Sequence, residues 1–149
     1  MTGLSGACLC GQIRYSTPAV PLVVGHCHCI DCRKSSGTGH STHILIPEEG
    51  FEMTGEPRFY DHPADSRHIV SRGFCADCGS PILSRNSAMP ALLALRASSL
   101  DDPGAVTPQM IVYASRAPAW DAMDPALPCF AHMPEESAVA EMIGGAAPD

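Results

Sequence analysis

Phe74-Cys75-Ala76-Asp77-Cys78-Gly79-Ser80 has the spacing of a metal knuckle. Two thiols three positions apart let the chain wrap round a cation in one tight turn. Gly79 tolerates positive φ, which can turn backbone N–H groups toward the sulfurs. A redox C-x-x-C would want a βαβ setting, and the surrounding pattern does not supply one. Cys75 and Cys78 therefore need two distant partners. The pair available is Cys8 and Cys10, in Gly6-Ala7-Cys8-Leu9-Cys10-Gly11. A C-x-C alone is a weak signal, because buried unbound cysteines are common. Joined to Cys75 and Cys78 it becomes a four-thiolate site. Such a site would tie the amino-terminal strand to a point about 65 residues further on, which is the work of structural metal.

The stretch between them is Cys27-His28-Cys29-Ile30-Asp31-Cys32-Arg33-Lys34-Ser35-Ser36-Gly37. Cys27 and Cys29 lie on one face of an extended segment, and Cys29-x-x-Cys32 reads as a turn that closes on a cation. Three thiols make an open site, with the fourth position left to water or substrate. A fourth ligand from His26, His28, Cys129 or a histidine elsewhere would close it and make it structural. Both readings stand on spacing alone.

Composition restricts the rest. A chain of 149 residues is expected to fold as one domain and can bury about 68–70% of its unfolded surface, so disulfides are not required for a core. Seven of its eight cysteines fall in three tight clusters, a metal pattern rather than a disulfide framework. No secretory signal opens the sequence and no apolar run reaches the roughly 20 residues of a membrane span. A reducing cytoplasm with free thiols and metal is the expectation. Net charge is −7, and beyond Leu100 one arginine faces eight acids. That balance argues against nucleic acid as a partner. The single lysine, Lys34, follows Arg33 directly after the thiol triplet. The pair is a candidate for offsetting thiolate charge or holding an anionic substrate.

Working outward, Gln12–Tyr15 alternates apolar Ile13 and Tyr15 with polar neighbours, a strand signature. Gly6 and Gly11 are expected to permit the tight backbone beside two bound thiolates. Leu22–Val24 is a short strand into the triplet. Runs 42–46, 51–54, 58–60 and 68–72 are strands separated by Pro47, Gly50, Gly55-Glu56-Pro57 and Pro63, which predicts an antiparallel, mainly β domain. Residues 91–96 and 109–113 read as strands, though the first could pass for a helix by propensity, and 100–104 reads as a turn. His40, His43, His62 and His68 are expected to be ordinary strand or loop histidines. Trp120 is either packing or a pocket wall. Cys129 is expected to be a small apolar filler in a proline-rich tail lying against the core. The domain is placed at 1–134, and 135–149 is expected to be weakly ordered or to hold a short helix at 136–143.

The three clusters, in this order, resemble the glutathione-dependent formaldehyde-activating enzyme family, also called the GFA/CENP-V family. The matching residues are Gly6-x-Cys8-x-Cys10-Gly11-x-Ile13-Arg14-Tyr15, Cys27-His28-Cys29-x-x-Cys32-Arg33-Lys34-x-Ser36-Gly37, Arg72-x-Phe74-Cys75-x-x-Cys78-Gly79-Ser80, Leu100-Asp101-Asp102-Pro103 and Leu127-Pro128-x-Phe130. The resemblance implies an Mss4-like, mainly β fold and two zinc ions. It assigns Cys8, Cys10, Cys75 and Cys78 to a structural zinc, and Cys27, Cys29 and Cys32 to a catalytic one. It implies a carbon-sulfur lyase-type reaction joining glutathione, or a similar thiol, with formaldehyde or another small electrophile to give S-(hydroxymethyl)glutathione. Arg33, Lys34 and Ser36 are candidates for contacting the substrate. The alternative within this fold is a non-catalytic, zinc-stabilised protein-binding module.

Overall fold

The computed structural model describes residues 3–135. In chain order its elements are β1 (Leu4–Ala7), β2 (Arg14–Thr17), β3 (Val23–Cys27), helix α1 (Ile30–Ser36), β4 (Ser41–Pro47), β5 (Glu52–Thr54), β6 (Arg58–Pro63), β7 (Ile69–Phe74), β8 (Pro81–Asn86), β9 (Leu92–Arg96) and β10 (Met110–Val112). The protein is mainly β, as expected. Its contacts divide it into two compact units, Met1–Pro21 with Ile44–Val106 and Leu22–His43 with Thr107–Asp149.

In the first unit, β1, β2 and β5 form an antiparallel sheet, with Leu4 opposite Thr17 and Tyr15 opposite Met53. β2 buries alternate residues, Tyr15 and Thr17, while Arg14 and Ser16 face out. That is the two-residue period of a half-buried strand. β6, β7, β8 and β9 follow as an antiparallel run, with β4 next to β9. The core is branched aliphatic: Ile13, Ile44, Ile46, Ile82, Leu83, Leu93 and Leu95 are all essentially inaccessible. Residues 91–96 are helix formers by propensity, yet they form β9 because Leu93 and Leu95 bury one face at strand spacing. Gly6 has a different role from the one expected. It sits in β1, opposite Tyr15, and a methyl group on it would collide with the Tyr15 hydroxyl and the Ser99 carbonyl. The buried Tyr15 Oη lies 2.7 Å from Ser99 Oγ, so close approach rather than metal geometry requires glycine here. Gly11, by contrast, has φ +81 in the turn after Cys10.

In the second unit, β3 and β10 run parallel, with Met110 opposite Gly25 and Val112 opposite Cys27. This pair departs from the antiparallel pattern expected. Gln109 clasps Val24 twice, its amide N donating to Val24 O at 2.8 Å and its Oε1 accepting from Val24 N at 2.9 Å. The tail does run along the core: Ile111 N donates to Pro128 O, and Phe130 N donates to Ile111 O. Cys129 bridges Ile111 in this segment but is exposed. The expected apolar filler is therefore a surface residue, held there by backbone pairing rather than burial. The helix expected at 136–143 lies outside the described residues.

Three elements were not anticipated. β1 and β8 contain Gly6 and the polar Ser84, Arg85 and Asn86, which weaken the strand signal. Helix α1 stands where a turn was expected, because seven residues give too short a pattern for helical periodicity. Substituting Gly6→Ala should destabilise the protein by about 1–3 kcal/mol. The urea midpoint should fall with an unchanged m-value; a wild-type midpoint would show that the β1 contact can relax.

Candidate metal centres

The sulfurs of Cys8, Cys10, Cys75 and Cys78 lie together in the first unit, all within 4.8 Å of one another. Cys8 and Cys10 are 3.6 Å apart and Cys10 and Cys75 are 3.7 Å apart. A disulfide would need about 2.0 Å, whereas ligands of a tetrahedral zinc with ~2.3 Å bonds lie about 3.8 Å apart. The donor set and spacing fit that ion. Two tight turns present the four sulfurs. In the first, Cys8 N donates to Ile13 O and Gly11 N to Cys8 O; in the second, Cys75 N donates to Ser80 O and Gly79 N to Cys75 O. Gly79 has the expected positive φ, +78. Ser80 joins the loops, accepting from Leu9 N at 2.9 Å and lying 3.2 Å from Cys78 Sγ. The Ser80 hydroxyl and amide pull the Cys78 thiol down to about 5. Although the Gln12 amide favours a Cys10 thiolate, desolvation and the crowding sulfurs of Cys8, Cys78 and Cys75 push Cys10 up to about 12. Four thiolates cannot share this space without a cation.

The trio Cys27, Cys29 and Cys32 lies in the second unit, again with all sulfurs within 4.8 Å of one another. Cys27 ends β3, and Cys29 caps the N-terminus of α1 in extended geometry, φ −58 and ψ 158. The expectation that these two share a face is met. Cys32 N donates to Cys29 Sγ at 3.3 Å, so the helix supplies what a turn was expected to supply. Gly37, at φ +84, ends the helix, its N donating to Arg33 O. Among the described residues no fourth histidine, cysteine, aspartate or glutamate completes this group. The neighbouring sulfurs of Cys29 and Cys32, then burial, raise the Cys27 pKa far above that of a free thiol. A cation would relieve that repulsion, and zinc with one position left over fits the donors.

One histidine that the sequence did not place against the trio, His43, reaches it. His43 Nε2 lies 3.4 Å from Cys32 Sγ; against a thiolate its N–H is the donor. His43 is a strand residue of β4, as expected, that touches the trio without belonging to its ligand group. His26 Nδ1 lies 2.8 Å from Thr42 Oγ1, and burial, then His40 and His28, lowers its pKa. His28, inaccessible to solvent, donates from Nδ1 to Gly39 O at 2.9 Å. Asp121 Oδ2 lies 2.7 Å from His40 Nδ1 and 3.5 Å from His28 Nδ1. Alternation from the β4 pattern could have placed His43; nothing local could have paired Asp121 with His40, 81 residues away.

Arg33 and Lys34 occupy the last turn of α1, with Lys34 exposed. Ser36 is spent within that turn: its hydroxyl donates to Arg33 O and accepts from Thr38 N. Trp120, next to Asp121, is 71% exposed, so it is not core packing. His62 and His68 belong to the first unit.

A mainly β protein with two convergent cysteine clusters is the class these observations define. The family model for glutathione-dependent formaldehyde-activating enzyme matches residues 3–116, and the chain belongs to that family. A crystal structure of a Rhodobacter sphaeroides protein, solved as a structural genomics target, shares the fold at a TM-score of 0.55 and 12% identity, over 85% of this chain and 99% of the other. No curated protein matches the chain.

The two clusters predict different variants. Structural zinc is worth an apparent ~10–16 kcal/mol against ~5–15 kcal/mol of net domain stability. Cys78→Ser should therefore yield insoluble or molten protein. Cys29→Ser should remain folded by circular dichroism and bind one metal equivalent fewer. A second outcome concerns pH. Because Cys27 has a raised pKa, metal must displace its proton, so affinity of the trio should strengthen as pH rises. Cobalt titrations of Cys78-intact protein at pH 6 and 8, read by the thiolate-to-metal absorption, check this; equal affinities would contradict it.

Proposed function

We propose that this protein is a zinc-dependent carbon-sulfur lyase-type enzyme that condenses glutathione with formaldehyde to S-(hydroxymethyl)glutathione. The observation that carries this reading is the trio of converged thiols, joined by no fourth ligand among the described residues, in a chain of this family. Cys27, Cys29 and Cys32 would hold one zinc, and Cys8, Cys10, Cys75 and Cys78 a second, structural one. Zinc, when bound at the trio, lowers the pKa of a ligating thiol below its free value of about 8.5 and stabilises developing negative charge.

The chain's own residues do the rest. Cys29 and Cys32 are held by the start of α1, which keeps the open position in place. His43 donates to the Cys32 sulfur, drawing charge from it and fixing its orientation. Arg33 and Lys34 offer positive charge one turn beyond the trio to the carboxylates of glutathione. Ser36 contributes by shaping that turn. The thiol sulfur then adds to the aldehyde carbon, a step favoured by holding both partners in reach. Eight free cysteines suit the reducing cytoplasm, and no described helix is long and apolar enough to cross a membrane.

Exchange NMR on ¹³C-formaldehyde and glutathione tests the reading. Zinc-loaded protein should speed hemithioacetal exchange well above the spontaneous rate, and Cys29→Ser should not. An exchange rate equal to the uncatalysed one with fully loaded wild type would refute it. Charge reversal at Lys34 (Lys34→Glu) should raise KM for glutathione several-fold with kcat little changed.

A further inference from the structure

We infer that the outer edge of β6 is a dimerisation surface, on which a second copy of this chain adds its own β6 antiparallel about a two-fold axis at Tyr60. The inference is independent of the reaction proposed above and concerns a part of the first unit which that reading does not use.

β6 is the last strand of its sheet and pairs on one side only, with β7. At the hairpin end of this pair Ala64 N donates to His68 O at 2.8 Å. Bonded and unbonded positions alternate in an antiparallel ladder. Arg58, Tyr60 and His62 therefore bond β7, while Phe59 and Asp61 turn their N–H and C=O groups outward. Among the described residues no strand or isolated bridge pairs with that side. Such an edge is a template for another strand, and folds commonly blunt it with lysine or cover it. β6 carries no lysine. Instead Phe59 is 41% exposed and Tyr60 61%, with Ile69 at the start of β7 40% exposed. Both aromatic rings are held in place. Phe59 packs over Gly73, where a methyl group would meet its ring at 2.9 Å, and Tyr60 stacks with His62 at 6.0 Å between centroids.

The sequence Pro57-Arg58-Phe59-Tyr60-Asp61-His62-Pro63 commits this edge to a second copy. With Tyr60 opposite Tyr60 at the axis, Phe59 of each copy faces Asp61 of the other, and the two exchange both main-chain hydrogen bonds. The next outward positions set Pro57 against Pro63. Neither has an N–H, so no donor is buried unmatched and the ladder ends there. Slipping the pair by two residues brings one of these prolines into the ladder. In one direction it also sets Asp61 against Asp61, a like-charge pair. The remaining register is self-complementary and consumes the edge of both copies, so assembly closes at two. On one face the Tyr60 rings meet across the closely spaced, unbonded pair. On the other, Phe59 of the second copy extends the apolar strip of Pro63 and Ile69. Stable complexes bury about 1,200–2,000 Å². A ladder this short buries less, so the dimer is reversible and forms at micromolar rather than nanomolar protein.

The test uses full-length, zinc-loaded protein. Sedimentation velocity from about 5 to about 500 µM should show a monomer–dimer equilibrium. Asp61→Pro removes an outward N–H and no bond to β7, and Tyr60→Lys sets like charges opposite each other at the axis. Each variant should keep its fold by circular dichroism and its zinc content, and raise the dimer dissociation constant at least about tenfold. Photo-oxidative tyrosine cross-linking of wild type should join Tyr60 to Tyr60, read by peptide mapping; Tyr15 is buried. If Asp61→Pro does not fold, Tyr60→Lys and the cross-link carry the test. A wild type that stays monomeric across that range overturns the inference, and so does a dimer that persists undiminished in both variants or cross-links elsewhere.

Discussion

Mutual repulsion among sulfurs held too close together is the constraint on which the rest of this structure depends. Cys10 meets Cys75, 65 residues away, at 3.7 Å, and lies 3.6 Å from its neighbour Cys8. That is too far for a covalent bond and too near for four bare charges. A cation at the centre would offset that repulsion, and its binding energy would become folding energy. The two turns that hold the sulfurs are built alike, each with a glycine at φ close to +80 and with the first cysteine's carbonyl accepting from that glycine's amide. One loop follows β1 and the other follows β7, so this centre joins two strands of the first unit that do not pair with each other.

The trio applies the same repulsion to a different end. Its sulfurs raise the Cys27 pKa and would suit a cation too, but among the described residues only three donors converge. The difference lies in what carries them. A strand end, a helix cap and a position one turn into α1 bring three sulfurs to one point and then carry the chain away at Gly37. The second unit also gathers His26, His28 and His40 into a cluster with Asp121.

Much of this was legible in the sequence. C-x-C and C-x-x-C spacing expresses a local geometric need, so the partition of seven cysteines into four and three could be read before any fold was known. The two-residue alternation at Ile13 and Tyr15 and the branched runs of β4 and β9 likewise announced strands through their buried faces. Helix α1 was not legible, because seven residues offer no periodicity and its N-cap is a cysteine, whose thiolate does the work usually done by serine or aspartate. Cys129 misled for a related reason: burial statistics describe cysteine side chains, whereas a backbone pairing with Ile111 placed this one at the surface.

What the sequence determined by itself is therefore the ligand chemistry and the mainly β character, since both are encoded over spans of a few residues. Tertiary structure alone decided the parallel pairing of β10 with β3, the glycine at position 6 and the meeting of Asp121 with His40. Each depends on residues dozens of positions apart, and no local pattern in the chain specifies which distant group will arrive beside which. Spacing can declare that three sulfurs want an ion. Only folding can say that the imidazole of His43 will reach them.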